Sequence, residues 1–489
     1  MSPTSAREPR LEGVIAAGLT VLLLGGLVAC TGSSSELEAP RRVFLITVDT
    51  LRADHMGIYG YPRQTSPELD RLAEQGVTFT RAVAQWPKTG PSLASLFTGR
   101  YPKTTGLTHR AAQKIPGEYL TLPELFQSAG YSTLGVVSNA VLSAELGWNR
   151  GFDEFLETWT LGGAVSDDPV EHRKWVAAPL VNQLAIPALE RRVDSERLFV
   201  WLHYSDPHAP YLLPEGTTDP FLDDAFDTQE QMIEHELPPA RALGDERRLG
   251  FYVAKYDANI LVTDSYIGAI LDHLESLGLL EDALVIFTSD HGEGLGEHNE
   301  LFEHGREPYN TTAHVPLFIT YPGVTKPGRQ VEHPTELLDL YPTLRDLLQV
   351  TGEPEGLQGS SLVPFLGLEG SIDARDLEPF RYAFSEAGGG QMLWRHYLSV
   401  QDGRWKLVFH PAVERNDRQL PPTFELFDLE TDPQELENLA GQREEEFDRL
   451  WKALSTWMES TPEQGQIDPD SEAYSEETLN ALRALGYLN

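Results

Sequence analysis

Val43-Phe44-Leu45-Ile46-Thr47-Val48 is an unbroken apolar run that stops at Asp49. A strand with one wet face alternates apolar and polar residues, so a run without alternation predicts a strand covered on both faces. Short runs of the same kind recur at residues 77–84, 133–137, 198–203, 284–289 and 315–320. Helical stretches lie between them. One covers residues 67–75, with Ser66 as N-cap, Pro67 in the first turn and Gly76 as terminator, and another covers residues 252–277. Strands alternating with helices predict an α/β fold, a largely parallel sheet sandwiched by helices. Ligands of such sheets collect at the carboxyl ends of the strands. Asp49, the segment from His203 to His208, and Asp290-His291 each follow a predicted strand, so three separate segments deliver polar side chains to one edge.

The chain has 489 residues, 40% of them hydrophobic, enough for one large domain with a buried core and a smaller appendage. Its 38 Lys and Arg against 75 Asp and Glu leave a formal charge of -37. That charge repels phosphate backbones and anionic lipid surfaces, which excludes nucleic acid as an expected partner. Arg7 and Arg10 precede an apolar stretch at residues 14–29. It is short of the roughly 20 residues that span a bilayer and has the build of a signal-peptide core.

Leu27-Val28-Ala29-Cys30 resembles a bacterial lipobox. The resemblance implies cleavage before Cys30, lipid carried on that cysteine, and a flexible tether beyond it. Cys30 is the only cysteine, so no intramolecular disulfide forms. An uncleaved anchor helix is the alternative, and either reading places the folded domain outside the cytoplasm. The expected organisation is a lipoprotein signal peptide (1–29), a tether (30–42), a catalytic domain (43–371) and a C-terminal subdomain with terminal helices (372–489). The protein is then expected at the cell envelope, on the periplasmic or surface face, touching the membrane only through its lipid.

Thr89-Gly90-Pro91-Ser92-Leu93, followed by Thr98-Gly99-Arg100, resembles the signature of the sulfatase family. There the first residue is a cysteine or serine oxidised to formylglycine, and the fifth is arginine. Here Thr89 stands first and Leu93 fifth. Threonine is not a precursor of formylglycine, so any nucleophile is an ordinary alcohol. Residues 404–409 and 424–429 read as antiparallel strands similar to the small C-terminal α+β subdomain of that family, and the resemblance extends from Val43 to about Ala440.

Asp49, Thr89, Asp290 and His291 together offer two carboxylates, an alcohol and an imidazole. Mixed nitrogen and oxygen donors suit one Zn²⁺ or Mn²⁺ better than Ca²⁺, which prefers oxygen alone. Calcium-dependent sulfatases pair aspartates at the first position and use Asp-Asn at the last, where this chain has Asp49-Thr50 and Asp290-His291. The set resembles that of the alkaline phosphatase superfamily, especially lipoteichoic acid synthases and phosphoethanolamine transferases with a metal-bound threonine. Pro91 predicts a helix starting near Thr89, its free N–H groups turned toward an anion. A simple Thr N-cap is the bland alternative.

His208 lies in Asp206-Pro207-His208-Ala209-Pro210-Tyr211, similar to the family's His-x-Pro-Tyr element, which implies a general acid. His304 lies in Glu303-His304-Gly305, near the place of a family lysine, where a protonated imidazole could face the anion. His298 reads as structural. After Gly130-Tyr131-Ser132-Thr133 the family's Gly-Lys-x-x-His element is missing, and Val137-Ser138-Asn139-Ala140 stands there. Asn139 either donates to an ester oxygen or caps its loop. A second metal would require Asp206, His208 and His304 to converge.

A sulfated threonine has no easy exit, because the collapse available to a hydrated aldehyde is closed to it. A phosphorylated threonine can be attacked in line at phosphorus. The expectation is a metal-dependent hydrolase, or phosphotransferase, acting on a small-molecule, glycan or envelope ester, with phosphate mono- or diesters favoured. The alternatives are sulfate ester hydrolysis by a route without formylglycine, and a catalytically silent domain that binds glycans or envelope polymers. Residues 214–248, acidic and proline-containing, read either as a lid over the substrate side or as an insertion.

Overall fold

The computed structural model describes residues 38–108, 113–161, 177–222, 232–234, 236–237, 241–352, 354, 356–367, 381–388, 396–415 and 418–462. The signal and lipobox readings, Cys30 included, lie outside them. Its main sheet is built from β1 (Arg42–Val48), β2 (Val77–Val83), β3 (Ser132–Val137), β4 (Glu154–Glu157), β5 (Leu198–Tyr204) and β6 (Ala283–Ser289). After a short hairpin of β7 (Gly294–Leu295) and β8 (Leu301–Glu303) come β9 (His314–Thr320), β10 (Arg329–Val331) and β11 (Thr335–Glu336). The strand order is β10-β2-β9-β6-β1-β5-β3-β4, with β11 beside β2.

The apolar run that opens the domain is β1, paired in parallel with β5 and β6. Both faces are covered, which is why it does not alternate. On one face Phe44, Ile46 and Val48 join Tyr252, Tyr256, Ile260 and Ile267 of a long helix, Leu249–Ser276, and Val181, Ala185 and Leu189 of another, Ala177–Glu190. The other face carries an aromatic layer, with Phe126 stacked on Phe199 at 4.0 Å and Phe97 against Trp201 at 4.7 Å.

Two details depart from the sequence-based expectation. β9 runs antiparallel to both β2 and β6. The chain between β6 and β9 holds the hairpin, with a 3-10 turn at Glu297–Asn299, and one short α-helical turn, Asn310–Ala313, so no crossover helix returns it to the starting edge. Helix α1 spans Pro67–Ala73, but Ser66 caps none of its backbone N–H groups. Ser66 Oγ donates to Asp70 Oδ1 (3.0 Å), and the amides of Glu68 and Leu69 donate to Asp264 of the long helix at 3.0 and 2.8 Å. A tertiary carboxylate does the capping.

The C-terminal sheet contains β12 (Ala383–Gly388), β13 (His396–Gln401) and β14 (Trp405–His410), then a hairpin of β15 (Val413–Arg415) and β16 (Arg418–Leu420), and β17 (Thr423–Asp428). Its order is β12-β13-β14-β17, all antiparallel. Leu450, Leu454 and Trp457 of the helix Glu444–Ser460 cover it, against Val400, Leu407 and Leu426. Glu386 N donates to Gln85 O and Gly388 N to Gly305 O, both at 2.9 Å, so β12 is tied to the segments that flank Thr89 and His304. Among the described residues no helix is long and apolar enough to cross a membrane.

Candidate active site

Parallel register builds the floor of the site. Val48 of β1 faces Ser289 of β6, so Asp49 and Asp290 leave neighbouring strands at the same level. The loop is then fastened: Thr50 N and His291 N both donate to Asp290 Oδ1, at 3.2 and 2.8 Å. Helix α2 spans Thr89–Thr98, with Thr89 as its first residue. Ser92 Oγ donates to the Asp290 carbonyl (2.6 Å) and locks the first turn of α2 over the end of β6.

His291 Nδ1 donates to Gly292 O (2.8 Å), which leaves the Nε2 lone pair facing the others. Nε2 stands 3.6 Å from Asp49 Oδ1, 3.5 Å from Asp290 Oδ2 and 3.4 Å from Thr89 Oγ1. All four residues are buried, and Asp49 Oδ1 and Asp290 Oδ2 have no hydrogen-bond partner. Burial, then the charge of Asp290, pushes the Asp49 carboxyl well above the ordinary range, and burial lowers His291. A lone pair facing two orphaned carboxylate oxygens away from water is costly unless a cation lies among them. The ligand atoms of Asp49, Asp290 and His291 lie within 4.8 Å of one another, so the donor set fits a divalent ion.

Asn139 belongs to this floor, in a different orientation from a substrate contact. Its Nδ2 donates to Asp49 Oδ2 at 2.6 Å, and its Oδ1 accepts from Val141 N at 3.1 Å. It aims Asp49 and caps its own loop. His203, named from sequence only as the start of the segment running to His208 and given no role, sits on β5 in register with Thr47 of β1, its Nε2 3.9 Å from Asp49 Oδ2 and without a hydrogen-bond partner. Its place one residue before the end of β5 was the available signal.

Around His304 stand His208, Glu293, Lys88 and Arg241. The rings of His291 and His304 are 4.3 Å apart by centroid, and those of His208 and His304 are 5.3 Å apart. His208 Nδ1 donates to Ala209 O at 2.8 Å, and burial pushes the imidazole down to about 4. His304 Nδ1 lies 3.0 Å from Glu293 Oε1. Burial, followed by His291, His208, Arg241 and Lys88, holds His304 well below its ordinary value. Burial is the largest of these effects, and the neighbouring positive groups add to it. Lys88 and Arg241 left no mark in the sequence, since neither lies at a strand end or in a family motif. Asp206 turns away, its Oδ2 accepting from Ala178 N (2.8 Å), so it does not join His208 and His304. Among the described residues, Asp49, Asp290 and His291 are the one cluster of three acidic or imidazole groups close enough to share an ion.

The family model for sulfatases matches residues 41–350, about two thirds of the chain, and that for the C-terminal region of N-sulphoglucosamine sulphohydrolase matches residues 296–464. The chain belongs to the sulfatase family. Similar proteins include the N-acetylglucosamine-6-O-sulfatase of Bacteroides thetaiotaomicron, 26% identical over 91% of this chain and 90% of the relative. The multifunctional alkaline phosphatase superfamily protein PehA of Trinickia caryophylli is 27% identical over 82% of this chain and 91% of its own length. The solved phosphonate monoester hydrolase of Agrobacterium radiobacter shares the fold, with a TM-score of 0.65 at 23% identity, over 86% of this chain and 95% of that one. This sulfatase-family protein is an ester hydrolase.

Proposed function

We propose that this sulfatase-family protein cleaves an anionic ester, a phosphate mono- or diester ahead of a sulfate, with Thr89 as nucleophile. Asp49, Asp290, His291 and Thr89 would hold one divalent ion, zinc or manganese rather than calcium. The observation that carries the reading is Thr89 Oγ1 at 3.4 Å from His291 Nε2, which itself faces the two orphaned carboxylate oxygens at 3.6 and 3.5 Å. When bound, the ion would favour ionisation of the alcohol and polarise the ester.

The protein's own groups account for the protons. The Thr89 hydroxyl gives its proton to a neutral imidazole, and Oγ1 forms a bond to phosphorus as the bond to the leaving oxygen breaks. His208, whose Nδ1–H is spent on Ala209 O, has Nε2 to carry that proton to the departing alkoxide. Water then attacks the phosphorylated threonine, one water proton passes to the imidazole and on to Oγ1, and Thr89 is restored as inorganic phosphate leaves from a monoester substrate, or a phosphate monoester from a diester. At sulfur the second half is the harder step, since in-line attack on a sulfated threonine replaces the aldehyde collapse used elsewhere in the family. The relatives support both esters: sulfate by the names of most, phosphorus by the phosphonate monoester hydrolase. The lipobox-like segment at Cys30 supports a lipid-anchored enzyme of the cell envelope whose substrate is a small molecule, glycan or envelope ester met outside the cytoplasm.

The test is intact-protein mass after brief exposure to aryl phosphate, a phosphodiester and an aryl sulfate, with metal content measured on the same sample. A phosphate-sized adduct on Thr89 is expected. Wild-type turnover by Thr89→Ala would overturn the nucleophile, and turnover of the sulfate alone would overturn the phosphorus preference.

A further inference from the structure

Lys88 and Arg241 lie against the two residues that flank His304, Gly305 and Glu303. Lys88 runs along Gly305, where a Cβ would stand 2.8 Å from its Cγ and 3.1 Å from its Cδ. Only a glycine leaves room for that path, and Gly305 also sits at φ +84, where a side chain is strained. Arg241 pairs with Glu303, the residue before His304. Arg306 reaches the other oxygen of Glu303 at 3.9 Å. The level of these groups matters: Arg241 and Glu303 side chains are 26% and 33% exposed, whereas those of Asp49, Asp290 and His291 are fully buried. Both cations bear on His304, and Arg241 bears on His208 as well. In a chain of formal charge -37, two cations thus border His304, whose ring lies 4.3 Å from that of His291.

We infer that Lys88 and Arg241 bind the anionic oxygens of the ester that do not face Thr89, in place of the basic residues missing after Thr133, and that Glu303 occupies Arg241 until the ester displaces it. The inference rests on the reading that the ester enters over Thr89. Glu303 is then an internal competitor, and its removal has the opposite sign from removal of either cation.

Calorimetric binding of inorganic phosphate to the metal-loaded full-length protein separates these roles without any turnover. K88Q and R241Q are each expected to weaken binding about tenfold or more, the scale of one lost charge-assisted contact. E303Q is expected to tighten binding several-fold, and the gain should vanish in the R241Q/E303Q double variant. Unchanged affinity in both K88Q and R241Q, or weaker binding in E303Q, would overturn the inference. E303Q changes one partly exposed carboxylate, so it keeps the test decisive even where K88Q fails to fold. Repeating the titrations on Thr89→Ala protein keeps the result separate from the nucleophile assignment, which stands or falls by the covalent adduct.

Discussion

Thr89 Oγ1 and His291 Nε2 lie 3.4 Å apart across 202 residues of chain. The contact exists because Ser92, one turn into α2, is bonded to the carbonyl of Asp290. A hydroxyl at the start of a helix and an imidazole at the end of a strand are thereby held on one centre. Thr89→Ala is expected to lower turnover by about 10³-fold or more while leaving metal content near stoichiometric, since Asp49, Asp290 and His291 remain. Steady-state kinetics beside elemental analysis checks both halves. Thr89→Ser, which keeps the alcohol, should recover measurable activity.

Removal of the ion should destabilise the fold. Asp49 and Asp290 stand buried together with orphaned oxygens, and a ligand present at 100 times its Kd stabilises by about 2.7 kcal/mol. Chelator is expected to lower the melting temperature of the wild type and to leave Asp290→Asn unmoved. The chelated variant should melt above the chelated wild type, because one of two facing buried carboxylates is gone. A wild type indifferent to chelator would count against a metal held here.

Asn139 donates to Asp49 at 2.6 Å and acts on the site through that carboxylate. Asn139→Ala is expected to reduce metal affinity by about 10- to 100-fold, the range for partners that orient a ligand. Competition with a chromophoric chelator measures it. Asn139→Asp should be worse than Asn139→Ala, since it sets a further carboxylate against Asp49.

A second acidic centre joins the two sheets. Glu336 accepts from Tyr101 Oη at 2.9 Å and from Phe384 N at 3.0 Å, near Asp339 and Arg381. Burial first, and the charge of Asp339 second, push Glu336 up to about 8. Its folded value lies above its unfolded one, so its stabilisation is complete below about 4.5 and is lost as pH rises through about 8. Melting temperatures from pH 5 to 9 should fall toward the alkaline end in the wild type and fall less in Glu336→Gln. Equal slopes would remove Glu336 as the cause.

Much of the site was legible because of where apolar runs end. Asp49 and Asp290 each follow an unbroken buried strand, and Pro91 marks the helix that starts at Thr89. Other residues left no local trace. Lys88 precedes the helix, and Arg241 comes from a stretch readable as lid or insertion. Asn139 was seen, but whether it faced substrate, loop or carboxylate depended on Asp49, 90 residues away. Ser66 was a sound N-cap by type and was outcompeted by Asp264.

Sequence alone established an α/β sheet covered on both faces and the edge at which Asp49, Asp290 and His291 gather. Those properties follow from side-chain chemistry and from periodicity, which act over a few residues at a time. The folded chain settled which way β9 runs, which carboxylate caps α1, that Asp206 accepts from Ala178, and that Lys88 and Arg241 lie against the residues flanking His304. These depend on register and on contacts between segments from 28 to about 240 residues apart, where a shift of one residue would turn each side chain to another face.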